Sequence, residues 1–302
     1  MRIHSLLFLF LAGILSAGAQ PTISFTFDDG ITNNMPGYAF EEWNSMILEH
    51  LDKAGVRAVF FVTGNNKSDE KGKFLLASWN DAGHNIANHT FSHPNYNGKG
   101  ITFEQFREEL LRTDSLIRNY SHYLPLFRFP YLKEGDTREK VDRFRACMNE
   151  RGYTNGYVTI DASDWYIDGR LRKKLRDDPE HDIAGFREFY LKHLYERAMY
   201  YEDLSYKLTG RHISHTLLLH HNLTSALFLG DLITMFKEKG WVIIDAEDAY
   251  RDKIFTKQPT NIPAGEGLIW ALARASGNFD ELLRYPAEDS RYEQDEMDRL
   301  GL

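Results

Sequence analysis

The most constraining feature of this sequence is an alternation. From Thr22 to Ile244, nearly every short apolar, β-rich run is followed by a stretch of helical period. Thr22–Phe27 reads as a strand and Trp43–Lys53 as an amphipathic helix stopped at Gly55. Arg57–Thr63 reads as a strand, Lys73–Ala82 as a helix ended by Gly83, and His84–Asn88 as a short strand. Thr102 is placed to cap a helix running to about Asn119, with Gln105 as its capping-box partner. Leu124–Phe129 and Tyr153–Ile160 are strand-like around a helix at Thr137–Arg151. A long helical stretch, Ile183–Leu208, precedes a strand at Thr216–His220, a helix at Thr224–Lys239 and a last strand at Trp241–Ile244. Such alternation predicts an α/β fold of parallel strands with covering helices. A barrel-like closed sheet fits the 302-residue length, with an open doubly wound sheet as the competitor. After about Tyr250 the pattern weakens. Residues 251–302 read as a C-terminal appendage to a barrel over 20–250, and their last part, Asn278–Leu302, acidic and broken by Pro286, as a surface appendage rather than a second domain.

The N-terminus carries Arg2, then the apolar run LLFLFLAGIL, then SAGAQ. This pattern predicts a secretory signal peptide over residues 1–19, cut after Ala17-Gly18-Ala19 so that Gln20 becomes the first residue. The run is short for a bilayer span, and no other run reaches membrane length. The expectation is an exported protein, periplasmic or secreted, with no stable membrane span after cleavage. Lys+Arg total 36 against 44 Asp+Glu, a formal charge of −8, without a basic run. That balance lacks the footprint of a nucleic-acid binder. Cys147 is the single cysteine among twelve histidines. An internal disulfide or Cys-rich metal site is thereby excluded, and any bound metal must take His and carboxylate ligands.

Polar clusters follow the apolar runs: Asp28-Asp29-Gly30, then His89 and His93, Arg128 with Tyr131, Asp161 with Asp164 and Trp165, and finally His220 and His221. In a parallel barrel all the strand ends share one face, where loops build the active site. In ISFTFDDG, adjacent side chains of an extended backbone point apart. One carboxylate can then bind a metal while its neighbour stays free as a base; a strand-ending turn with an Asp cap is the plainer reading. In HTFSHP, Pro94 pushes His93 out of the helical region, so the two imidazoles would converge from a strand end and its loop. Two His and one Asp leave an open position for water, the pattern of a catalytic divalent site. Arg128 of RFPY offers a fixed charge for a carboxylate, and the backbone N–H after the stiff turn could meet an oxyanion. Asp164 could orient a histidine, and Trp165 could wall a sugar or acyl pocket. His220, ending a buried strand, suits a proton donor. The other histidines, at 4, 50, 84, 122, 181, 193, 212 and 215, read as surface or satisfied core.

TFDDG, HTFSH, RFPY, DASDW and LLLH, in that order from Thr26 to His220, resemble the five motifs of the polysaccharide deacetylases, the NodB-homology group of carbohydrate esterases. The resemblance implies a distorted (β/α) barrel, seven-stranded, that hydrolyses N-acetyl or O-acetyl groups on a sugar. Asp29, His89 and His93 would bind one divalent ion, zinc first, with cobalt, nickel or manganese as substitutes. Asp28 would be the general base, held by Arg128, and the Tyr131 N–H would contact the oxyanion. Asp164 would tune His220 as general acid, and Trp165 and Leu218 would wall the acetyl pocket. The implied partner is an acetylated glycan, N-acetyl hexosamines ahead of acetylated xylan. Leu132 stands where many relatives turn with Gly, and His221 where relatives often place Asp. A long helical insertion, about 166–214, separates the last two motifs. Hydrolysis of another small amide by the same site, or carbohydrate binding without catalysis, are the alternatives.

Overall fold

The computed structural model describes residues 20–284 and 290–302. The expected signal peptide and Pro286 lie outside them. The chain runs β1 (Thr22–Asp29), α1 (Phe40–Ala54), β2 (Val59–Val62), α2 (Glu70–Asp81), β3 (Asn85–Asn88), α3 (Phe103–Ile117) and β4 (Tyr123–Phe127). It continues β5 (Lys133–Gly135), α4 (Arg138–Glu150), β6 (Thr154–Asn155), α5 (Asp164–Asp177), α6 (Ala184–Thr209), β7 (Ser214–His220) and α7 (Leu223–Glu238). Then come β8 (Val242–Ile243), α8 (Ala246–Ala249), β9 (Ala264–Gly265), α9 (Leu268–Ser276) and α10 (Gln294–Leu300).

Seven strands form one parallel sheet in the order β6-β4-β3-β2-β1-β7, with β8 pairing the start of β1. The chain after β6 brings its two ends together. Gly156 donates its N–H to Phe127 of β4, whereas Ile160 donates to Thr216 and Leu218 donates back to Ile160. The sheet is therefore curled into a distorted barrel rather than left open, as the family resemblance implies. Tyr153–Ile160, expected as one strand, is regular only at Thr154–Asn155 because this segment switches partners from β4 to β7.

Strand alternation sets the two layers. Ile23, Phe25 and Phe27 face outward into a core with Trp43, Ile47 and Leu51 of α1. Ser24 and Thr26 face inward, each hydroxyl donating to a β7 carbonyl at 2.9 Å. Thr102 and Gln105 form the expected capping box at α3. The insertion proves to be mainly α5 and α6, packed on each other and on α7. The reading of the last residues as a surface appendage is corrected by packing: Met297 is fully buried in the main core, and Glu293 is 1% exposed.

Candidate active site

All five polar clusters emerge at the C-terminal end of the barrel, because the strands that carry them are parallel. Register sets them level: Asp28 pairs with His220 on β7 and Phe61 on β2, and Asn88, just before His89, with Phe127, just before Arg128. Asp28, Asp29, His89, His93, Tyr131, Trp165, Leu218 and His220 line one cleft of about 490 Å³.

Asp28 is buried at the end of β1, and its Oδ1 accepts from Arg128 Nη1 at 2.5 Å. Arg128 is wholly buried over the Phe61 ring, 3.8 Å from its centroid. It also donates to Thr26 Oγ1 at 2.9 Å, Gly156 O at 2.9 Å and Tyr250 Oη at 2.8 Å. A guanidinium satisfied on all sides cannot swing, so the carboxylate it grips is fixed as well. Asp29 does not point away as strand alternation alone predicts. Its φ is +81°, outside the extended region, and its carbonyl accepts from Thr63 N and Oγ1 at 3.0 and 2.9 Å. This turn brings its carboxylate toward the histidines.

His89 Nε2 lies 3.6 Å from Asp28 Oδ2 and 3.8 Å from Asp29 Oδ1; His93 Nε2 lies 3.6 Å from Asp29 Oδ1. His89 Nδ1 sits 2.8 Å from the Arg128 carbonyl. That contact places the ring proton on Nδ1 and leaves the Nε2 lone pair facing the cleft. His93 has φ +59°, so Pro94 indeed keeps it out of a helix. Burial, then the neighbouring His89, push His93 down to about 4, which keeps it neutral and able to donate a lone pair. Burial favours the neutral form of Asp29, but nearby positive charge, that of His220 first, outweighs it and holds the carboxyl below its ordinary range. Among the described residues, Asp29, His89 and His93 present one ligand atom each within 4.8 Å of one another. Two imidazole nitrogens and one ionised carboxylate, with room beside them in the cleft, fit a divalent ion.

Across the cleft, Asp164 opens α5 and is fully buried. Its Oδ1 lies 2.7 Å from His220 Nδ1, and its Oδ2 accepts from the His220 backbone N–H at 2.8 Å. Burial opposes a charge on His220. Asp164 overcomes it, aided by Asp29 and Asp28, and the imidazole is raised to about 10. Its Nδ1 engaged, His220 has Nε2 left for the cleft. Tyr131 and Leu132 are consecutive residues of positive φ, +55° and +56°, and Leu132 N–H bonds back to Phe129. The loop is braced by β9: Glu266 N–H donates to Leu132 O. A Cβ on Gly265 would sit 2.2 Å from that same carbonyl, so only glycine fits there. Trp165 is 44% exposed and Tyr131 56%, while Leu218 is buried.

His221 takes no part in the cleft. It is enclosed by Trp43, Phe60 and Trp79, with Nε2 3.0 Å from Asn44 Oδ1. Asp161 lines the cleft wall. Four residues that reading the sequence missed support the site. Thr26 shares the inward face of β1 with Asp28, so alternation could have marked it. Glu109 of α3 accepts from Phe91 N–H and Ser92 N–H, gripping the loop between the two histidines. Tyr250 donates to Tyr157 O while accepting from Arg128. Lys67 is buried, and burial lowers it to about 8 despite the attraction of Asp29. The last three come from distant segments without a local signal.

A curled (β/α) barrel whose strand ends gather two histidines, paired aspartates and a second Asp–His couple is the arrangement that the five-motif resemblance to the NodB-homology group implies. Residues 16–155 match the family described as polysaccharide deacetylase. It is 29% identical over 144 residues to a peptidoglycan-N-acetylglucosamine deacetylase of Bacillus cereus, covering 47% of this chain and 46% of that protein. It is 29% identical over 197 residues to the peptidoglycan-N-acetylmuramic acid deacetylase PdaA of Bacillus subtilis, covering 65% of this chain and 68% of that protein. The chain thus spans about half the length of the first of these relatives. A solved peptidoglycan N-acetylglucosamine deacetylase superposes with TM-score 0.51 at 20% identity, covering 76% of this chain and 87% of that one, which establishes the shared fold.

Proposed function

We propose that this protein is an exported, metal-dependent hydrolase that removes N-acetyl groups, or O-acetyl groups, from a polysaccharide, with peptidoglycan-type N-acetyl hexosamines as the favoured substrate. The carrying observation is the set of Asp29, His89 and His93 donor atoms between two differently charged proton-transfer groups, Asp28 and His220. Support for the substrate class comes from relatives named for peptidoglycan, and for export from the apolar N-terminal run. Among the described residues no helix is long and apolar enough to cross a membrane.

Asp29, His89 and His93 would hold the ion. When bound, it supplies a Lewis acid for the acyl carbonyl and lowers the pKa of water, and zinc suits this donor set. Asp28, clamped by Arg128, takes the proton of the attacking water. The Tyr131 N–H is offered to the oxygen that gains charge on the acyl carbon. His220, charged through Asp164, delivers a proton from Nε2 to the leaving amine nitrogen, which cannot depart as an anion. Trp165 and Leu218 wall the acyl pocket.

The test is acetate release from peptidoglycan, chitin oligomers and acetyl-xylan by zinc-loaded protein, with and without chelator. Release from an N-acetyl glycan that stops with chelator and returns with zinc is expected. Release indifferent to chelator, or none from any acetylated glycan by metal-loaded protein, overturns the reading.

A further inference from the structure

Helix α5 does more than present Asp164. One turn on, Asp168 accepts from the backbone N–H groups of Leu223 and Thr224 at 2.9 and 3.2 Å. Asn222 Nδ2 donates to Asp164 at 3.1 Å. Two carboxylates of one helix thus grip the turn between β7 and α7, on which His220 sits. The orientation of His220 can be no better defined than the position of α5.

Helix α5 is in turn held from behind. Its N-cap residue, Ser163, makes no side-chain cap and donates its backbone N–H to Nε2 of His193 on α6, at 3.1 Å. An imidazole that accepts at Nε2 carries its proton on Nδ1. His193 Nδ1 lies 3.4 Å from Glu293 Oε1, which also accepts from Arg197 Nη2 at 2.5 Å. Burial, then Arg197 and Arg284, keep His193 neutral, as its acceptor role requires. Glu293 itself is anchored, because α10 follows it and inserts Met297 into the core. The same segment reaches α5 directly: Lys174 donates to Gly301 O at 3.1 Å, and Arg170 pairs with Asp298 at 2.7 Å and with the Leu302 carbonyl. These contacts lie on the insertion and the last residues, outside the five motifs.

We propose that His193, tethered by Glu293, is a positioning residue that fixes the Ser163–Asp164 end of α5 and through it the imidazole of His220. The inference rests on the reading of His220 as the proton donor. Without the His193 acceptor, the Ser163 N–H loses the hydrogen bond that ties it to α6. Asp164 would move with it, and its grip on His220 would loosen.

The test compares His193→Met with His193→Gln in the full chain, using acetate release from the glycan that the wild type cleaves. The two side chains are close in size, but only glutamine offers an acceptor to Ser163. For His193→Met, kcat is expected to fall about tenfold or more while KM changes less than about twofold. The alkaline limb of its pH–rate profile should drop by about one unit. His193→Gln should restore both kcat and the limb. A folded His193→Met with wild-type kcat and limb overturns the proposal, as does equal impairment of both variants. Should His193→Met fail to fold, Glu293→Gln reads the tether from its other end: a lowered alkaline limb supports the proposal, and an unchanged one overturns it. His220→Ala separates the two levels. If it keeps wild-type turnover, the proton-donor reading fails. If it is inactive while His193→Met is normal, only the tether fails.

Discussion

The two sides of the cleft are built differently. On one side Asp28, Asp29, His89, His93 and Arg128 sit at the ends of three sheet strands whose register aligns them, with further support from Thr63, Gly156, Glu109 and Tyr250. On the other, Asp164 and His220 meet through a helix and a turn, backed by α6 and by residues more than a hundred positions along the chain. The first side is rigid because the sheet hydrogen bonds set its register. The second is rigid only as long as several helices keep their places. Substitutions on the two sides should therefore fail in different ways: loss of chemistry without change of shape on one, graded misalignment on the other.

The largest effect should come from Asp28→Asn, which keeps the shape and removes the proposed base. Turnover should fall by roughly 10²–10⁴ with KM little changed, read from initial rates of acetate release. A comparable rate for this variant and wild type would break the assignment of the sheet side. Next comes Arg128→Met. It leaves the buried Asp28 carboxylate without its partner and should cost about 3–5 kcal/mol of unfolding free energy, read from urea titration. A loss of activity without a loss of stability would show that Arg128 serves only the reaction.

On the helix side, Asp164→Asn should lower kcat roughly ten- to hundredfold while the protein stays folded. The pH dependence has a definite sign. His220 is raised from 6.5 to about 10, so its stabilising contribution is complete below the lower value and is lost as pH rises through the upper one. Removing the Asp164 charge should move the alkaline limb of the rate profile down toward the ordinary histidine range and flatten that alkaline loss of stability. A limb that stays in place would mean that Asp29 and Asp28 alone sustain the charge on His220. The smallest effect is expected at Trp165, whose ring is partly exposed. Trp165→Ala should raise KM by about tenfold or less, about 1 kcal/mol of contact, and leave the melting temperature near wild type.

The sheet side was legible in the sequence because its chemistry follows short apolar runs directly. The strand end, the turn and the functional side chain are neighbours in the chain, so TFDDG and HTFSH announce themselves. One local rule failed there. Alternation predicts that Asp28 and Asp29 diverge, yet the positive φ of Asp29, held by Thr63, turns both toward the histidines. His221 illustrates the opposite hazard: adjacent to His220 in sequence, it is core, caged by three aromatic rings. The acidic composition of the last residues suggested a solvated appendage, since charged residues seldom lie buried. The apolar anchor Met297, with Phe279, Leu283 and Leu302 packed on the same core, and a buried Glu293 matched by Arg197 reverse that inference. Neither carries a pattern that a window of sequence could detect.

By itself the sequence determined the alternation of strands and helices, the parallel sheet that follows from it, and the identity of the chemical groups at the strand ends. These are properties of period and adjacency, set within a few residues. Only the tertiary structure decided that the sheet closes through residues 154–160. Only it showed that Tyr250, Glu109 and Lys67 support the site, and that the last residues reach back to the helix beneath His220. Those contacts join residues far apart in the chain. They exist because buried polar groups must find partners wherever the packed core places them.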